Sequence, residues 1–183
     1  MNYRDILLCS EDTIKTYTHI SDNICGDYLC PAIYVAQKSK LEGILGTELV
    51  NKIQTLIAED ELNLEVNKDY KELLDDYITD FLCYAAIVEL IPMVSFKINN
   101  VGAARTDEEK TSSVSFDEVF QLKDYYEDKA DYFGYRMQKY LVDKYNNFPE
   151  LNDSTIANIH SNIRSAAGCS IFLGGERSLK KRW

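Results

Sequence analysis

The chain has little that breaks a helix: 8 glycines and 3 prolines are spread over 183 residues. Few positions are therefore forced out of helical geometry, and folds built from many short strands and tight turns are disfavoured. Histidine is scarcer still. His19 and His160 stand alone, so neither has a second ligand at the spacing a helical metal site needs. The 5 cysteines (Cys9, Cys25, Cys30, Cys83 and Cys169) are odd in number and form no C-x-x-C pair, which argues against a disulfide framework or a zinc site. Free thiols of this kind suit a reducing compartment, and Cys83, inside an apolar helical pattern, reads as a small core residue. Leu173-Gly174-Gly175 and the lone Gly102 fit no phosphate-binding loop, and there is no G-x-S-x-G elbow. The opening MNYRDILLCSED has neither the basic stretch nor the apolar run of a signal peptide. No uninterrupted apolar stretch approaches the roughly 20 residues that cross a bilayer.

Basic charge is also short, with 20 Lys and Arg against 30 Asp and Glu and a formal charge of −10. A body this acidic repels phosphate, so ordinary nucleic-acid binding is not expected. The balance reverses only in 147–183, where Arg177, Lys180, Lys181 and Arg182 crowd together.

What the chain does have is apolar and aromatic bulk: 45% apolar residues, including 13 tyrosines and 7 phenylalanines. That is enough for one helical domain with a real core. A short helix is expected over about 11–18, with Ser10 as its N-cap. The segment 19–30 reads as a loop, and Pro31 suits the first turn of a second helix. Ile33, Ala36, Gln37, Leu41, Ile44 and Leu45 form a stripe at helical spacing. Gly46 either breaks or kinks that helix, and Thr47 can cap the next one, which carries Leu49, Ile53, Leu56 and Ile57. The longest stripe follows Asn67: Tyr70, Leu73, Leu74, Tyr77, Ile78, Phe81, Tyr84, Ala85, Val88 and Ile91. Pro92 should kink or end it. Ser115 and Glu118 form an S-x-x-E capping box. The helix they open should bury Phe116, Val119, Phe120, Tyr126, Phe133, Met137, Tyr140 and Leu141, and end at Asn146, Asn147 and Pro149. A last short helix is expected over 154–167, with Ile156, Ile159 and Ile163 on one face.

The expected fold is thus mainly all-α: an antiparallel bundle of about five to six helices, with a long loop or small hairpin at 99–113 and an extended C-terminal arm. Residues 1–147 read as the helical domain, and 148–183 as a short helix plus basic arm.

Catalytic and metal-binding readings fare poorly. His19 and Cys25 could form a base and nucleophile, but nothing in the sequence orients them. Glu72, Asp75, Asp76 and Asp80 could hold a divalent cation, yet they fall on the exposed side of an amphipathic helix and read as a solvated face. The aromatic stripes lack the interleaved basic residues of a base-stacking platform. No cofactor and no enzymatic activity are expected. Two features call for a partner. One is the polar stretch 99–113 between the longest helices. The other is the apolar trio Ile171, Phe172 and Leu173 beyond the last helix, which can bury itself on a neighbour.

The run Ala32-Ile33-Tyr34-Val35-Ala36-Gln37 through Leu45-Gly46-Thr47-Glu48-Leu49 resembles the opening helices of phage head–tail connector proteins, in which a helix ends in a Leu-Gly step and the next begins T-E-L. The resemblance runs over about 25–145, through the long helix at 69–97, the Val101-Gly102 turn with its polar loop, and the helix ending Tyr140-Leu141. A neck-ring protein of a crAss-like phage fits this pattern. The resemblance implies a structural virion protein made in the host cytoplasm. It would form a homo-oligomeric ring, commonly a dodecamer, that docks on the portal, extends the DNA channel and joins further neck or tail proteins. DNA would touch it only in passing, and no membrane is involved. On that reading Val101, Gly102, Arg105, Ile171, Phe172, Leu173, Arg177, Lys180, Lys181 and Arg182 are candidate interface residues, and Asp107, Glu108 and Glu109 are candidate linings of the channel. The chain departs from short connectors by continuing past 147. The alternative is a small non-enzymatic helical adaptor that binds a host or phage protein.

Overall fold

The structure, a computed structural model, describes residues 6–99, 102–105 and 115–151. Its first helix, α1 (Glu11–Tyr17), starts where Ser10 accepts a hydrogen bond from the Thr13 N–H at 3.1 Å, so one orphan donor of the first turn is satisfied. The second helical rod begins earlier than the sequence suggests, at Gly26 and not at Pro31: α2 spans Gly26–Ala36. Pro31 lies inside this helix and is exposed, and it cannot supply the N–H that would close its turn. The rod continues through a π-turn at Gln37–Leu41 into α3 (Glu42–Leu45).

Gly46 ends the rod outright. Its φ of 80° and ψ of 154° lie where a side chain would be strained, and it serves as the cap of both α3 and α4 (Thr47–Ala58). Thr47 is therefore the first residue of α4 and not its cap. Asp60, in the left-handed region with φ 56°, turns the chain after α4. A single 3-10 turn (Glu65–Asn67) then leads into α5 (Lys68–Leu73), a second π-turn (Leu74–Ile78) and α6 (Thr79–Ser95).

α6 is the axle of the fold. It packs chiefly on α2 and α7 (Phe116–Asp143), and Phe81, Leu82, Cys83, Ala85, Ala86, Ile87, Val88, Leu90 and Ile91 are all buried. The one-sided stripe expected from the sequence is thus only half of its apolar surface, because two helices need covering contacts from it. By length and composition alone the rod Glu65–Ser95 could span a bilayer, since an 18-residue window of it has a mean hydropathy of 1.6. However, 56% of that window is buried inside the folded chain, as in a core helix. Pro92 does not stop α6, which runs on to Ser95 before β1 (Phe96–Asn99) pairs antiparallel with β2 (Gly102–Arg105). The hairpin thus starts three residues before the expected 99–113 segment.

Ser115 and Glu118 form the capping box in full, each side chain bonding the other's backbone N–H. α7 lies across α6, with Met137, Leu141 and Ala130 buried. Gly134 permits this approach: a Cβ there would lie 3.2 Å from Phe81 Cε2 and 3.5 Å from Ile44 Cδ1. Phe116 and Phe120, expected in the core, are more than half exposed. Both lie in the first turns of α7, whereas its buried residues run from Tyr126 to Leu141. The core takes in Phe148 and Leu151, past the end of α7. Among the described residues the architecture is all-α, five helical rods with one small hairpin.

Candidate functional site

The structure offers surfaces and anchors. A buried polar anchor lies near the start of the chain. Gln37 and Gln54 are wholly buried, on the second rod and on α4. Gln37 Oε1 accepts the Leu8 N–H at 2.9 Å, while Gln37 Nε2 and Gln54 Nε2 donate to the Ile6 carbonyl at 3.1 and 2.8 Å. Two side-chain amides thereby satisfy backbone groups of a strap, residues 6–8, that pairs with no strand among the described residues. Next to it, Cys9 and Cys83 bring their thiols to 3.8 Å in the core. The contact with Cys83 and burial together push the Cys9 thiol well above its ordinary value, so it stays protonated and inert.

Of the acidic residues in 72–80, Glu72 and Asp80, together with Asp69, pair with Arg136 on α7 and Lys144 at its end. Lys144 Nζ meets Asp69 at 3.0 Å and Glu72 at 3.3 Å, and Arg136 meets Asp80 at 3.1 Å. Hydrogen bonds to Asp69 and Glu72 raise the Lys144 pKa. Burial raises that of Asp80, against the opposing pull of Arg136. Tyr77 stacks on Tyr140 at 4.2 Å, with the Arg136 guanidinium 4.9 Å from the Tyr77 ring. Asp75 and Asp76 are exposed, and no group of three or more metal-ligating side chains forms among the described residues. His19 and Cys25 are both exposed, and the thiol of nearby Cys30 is turned to Glu11 at 3.0 Å.

The candidate interface residues divide sharply. Gly102 pairs with Asn99, and Arg105 with Phe96, at the two ends of the hairpin. Val101, the loop acids Asp107, Glu108 and Glu109, the expected helix at 154–167, and the arm with Ile171, Phe172, Leu173, Arg177, Lys180, Lys181 and Arg182 lie outside the described residues.

The structure adds a surface that the sequence reading passed over. Tyr125, Tyr132 and Tyr135 stand exposed along α7, on the side away from the buried row Tyr126, Ala130, Gly134, Met137 and Leu141. The signal was present: the exposed row steps by three and four through Asp128, a second seam shifted round the same helix. A smaller patch lies on α2, where Tyr28, Pro31 and Tyr34 are exposed one turn apart.

No curated protein and no solved structure matches the chain. A family model does: residues 41–161, from the π-turn after α2 to beyond α7, match a family of unknown function, DUF6712, and the chain belongs to that family.

Proposed function

We propose that the chain is a ring-forming subunit of the head–tail connector in a tailed phage. In this role it docks on the portal, extends the channel through which DNA leaves, and joins further neck or tail proteins, without cofactor or catalysis. The observation that carries the reading is the presence of aromatic side chains on two separate outer faces, one on α7 and one on α2. A ring closes by head-to-tail contact, so each subunit must present two different patches. Exposed tyrosine suits such a contact, since its ring buries apolar area while its hydroxyl keeps a polar partner.

Two further properties support it. The charge of −10 lets a polyanion pass without the counterion-releasing contacts that would hold it. The Leu45-Gly46-Thr47 step, on which the resemblance to connectors rests, is a true break between two rods. In this reading Asp107, Glu108 and Glu109 face the lumen, and the segment after 147 contributes to contacts between subunits.

The test is assembly with the portal protein of the same phage, followed by electron microscopy. The expected result is a closed ring under the portal, with the chain present in purified virions. A chain that stays monomeric at high concentration, binds no portal and is missing from virions would overturn the proposal in favour of a helical adaptor for another protein.

A further inference from the structure

The outer face of α7 is built as a seam. Tyr125, Tyr132 and Tyr135 are 53%, 62% and 49% exposed, and with Asp128 they follow the three–four spacing by which one helix receives another. Tyr125 meets Tyr126 edge-on at 5.4 Å and Tyr132 meets Phe133 at 5.3 Å, yet all three tyrosines keep about half or more of their surface in solvent, aromatic bulk that the stability of one subunit does not require. α7 carries seven acidic against four basic residues, and six of those acids fall in 117–131.

A complement to this seam exists in the same chain. Residues 152–183 carry five basic against two acidic side chains. They hold a three–four seam of their own, Ile156, Ile159 and Ile163, followed by the apolar trio Ile171, Phe172 and Leu173. Polarity, spacing and charge all match the face of α7. Where this segment begins is also informative. Phe148 sits edge-on to Tyr70 at 5.3 Å, and Tyr70 donates its hydroxyl to Glu150 at 2.8 Å. The chain is thereby held on the α5 flank, a different side of the body from the tyrosine row.

We infer that the outer face of α7 receives residues 152–183 of a second copy of this chain. Donor point and receiving face then lie on different sides of each subunit, which is what a head-to-tail contact uses. The assignment of the segment to a second copy rests on the ring reading. The match between segment and face does not.

The test uses the full-length chain with benzoylphenylalanine in place of Phe172, mixed from unlabelled and nitrogen-15-labelled copies and irradiated at high concentration. The expected products join 152–183 to peptides from 116–143 in mixed light–heavy pairs. Changing Tyr125, Tyr132 and Tyr135 to Ser should lower their yield at least about fivefold, since a few central aromatics dominate such contacts. Because these rings are exposed, the variant keeps its fold, checked by its helical circular dichroism. Pairs of one label only would place the segment on its own α7 and overturn the inference, as would cross-links to another surface or an unchanged yield in the Ser variant. Mixed pairs without closed rings under the portal would sustain it and sink the ring reading. Closed rings without these pairs would do the reverse.

Discussion

The Gln37 side chain and the Leu8 backbone meet at 2.9 Å in the interior, where the amide oxygen of one satisfies the N–H of the other. The same amide donates to the Ile6 carbonyl at 3.1 Å. A helix side chain thus does for the strap what a neighbouring strand would otherwise do.

Replacing Gln37 by Leu keeps the bulk and removes both bonds. The buried Leu8 N–H is then stranded, and the expected loss is about 2–4 kcal/mol. Urea unfolding measures it directly. A loss under about 0.5 kcal/mol would mean that the strap finds other partners without Gln37.

Gly134 sets how closely α7 lies on α6. Ala there gains helix propensity of about 1 kcal/mol but must press Phe81 back from 3.2 Å, so the two effects should nearly cancel. Leu at the same position has no room and should cost at least about 2 kcal/mol. Equal thermal stability for the Leu variant and the parent would contradict the packing described.

Alkaline pH should loosen the end of the fold where α5 meets α7. Burial pushes the Tyr140 hydroxyl up to about 12, burial and Glu150 push Tyr70 up, and Asp69 and Glu72 push Lys144 up. Each holds its proton more tightly in the fold than in the open chain. Their stabilisation is therefore complete below the ordinary tyrosine value of 10.0 and is lost as pH rises through the folded values. Melting temperature should be level up to about pH 9.5 and then fall. Tyr140→Phe should make that fall shallower. At neutral pH the change should be harmless, because the Tyr140 hydroxyl is buried with no hydrogen-bond partner among the described residues.

Asp80 makes an ion pair with Arg136 at 3.1 Å, yet burial outweighs that partner and raises its pKa above 3.8. An acid so shifted favours the fold while protonated and loses that advantage as pH rises through the folded value. Asp80→Asn should accordingly be neutral or slightly stabilising at pH 7, within about 0.5 kcal/mol, although it deletes a visible ion pair. A loss above about 1 kcal/mol would show that the pair outweighs desolvation.

Signals carried by a few neighbouring residues were legible in the sequence. Ser10, and Ser115 with Glu118, cap the helices expected of them, because a cap depends only on its own turn. Cys83 is the core residue its pattern suggests. Features set by distant parts of the chain were not legible. Nothing near Gln37 announces that it serves Ile6 and Leu8, some thirty positions away. On α7 two rows share the same spacing, one through Tyr126 and Met137 and one through Tyr125 and Tyr132. Only the arrival of α6 on the side of Ala130 and Gly134 decides which is buried. Phe116 and Phe120 read as core because spacing does not say where along α7 burial begins, which is at Tyr126.

The two π-turns, at Gln37–Leu41 and Leu74–Ile78, have a consequence for how this sequence can vary. Each wide turn holds one more residue than regular winding would, so the extra residue is taken up locally and the rod beyond it keeps its facing. Deleting one residue within Leu74–Ile78 would restore an ordinary helix and leave Phe81 to Ile91 facing α2 and α7, whereas the same deletion in the regular winding of α6 would swing all that follows by about 100° around the axis. Length at these two places is thus under looser control than in the regular winding on either side: one lost codon here can leave the axle aligned, while one lost codon further along α6 misaligns it.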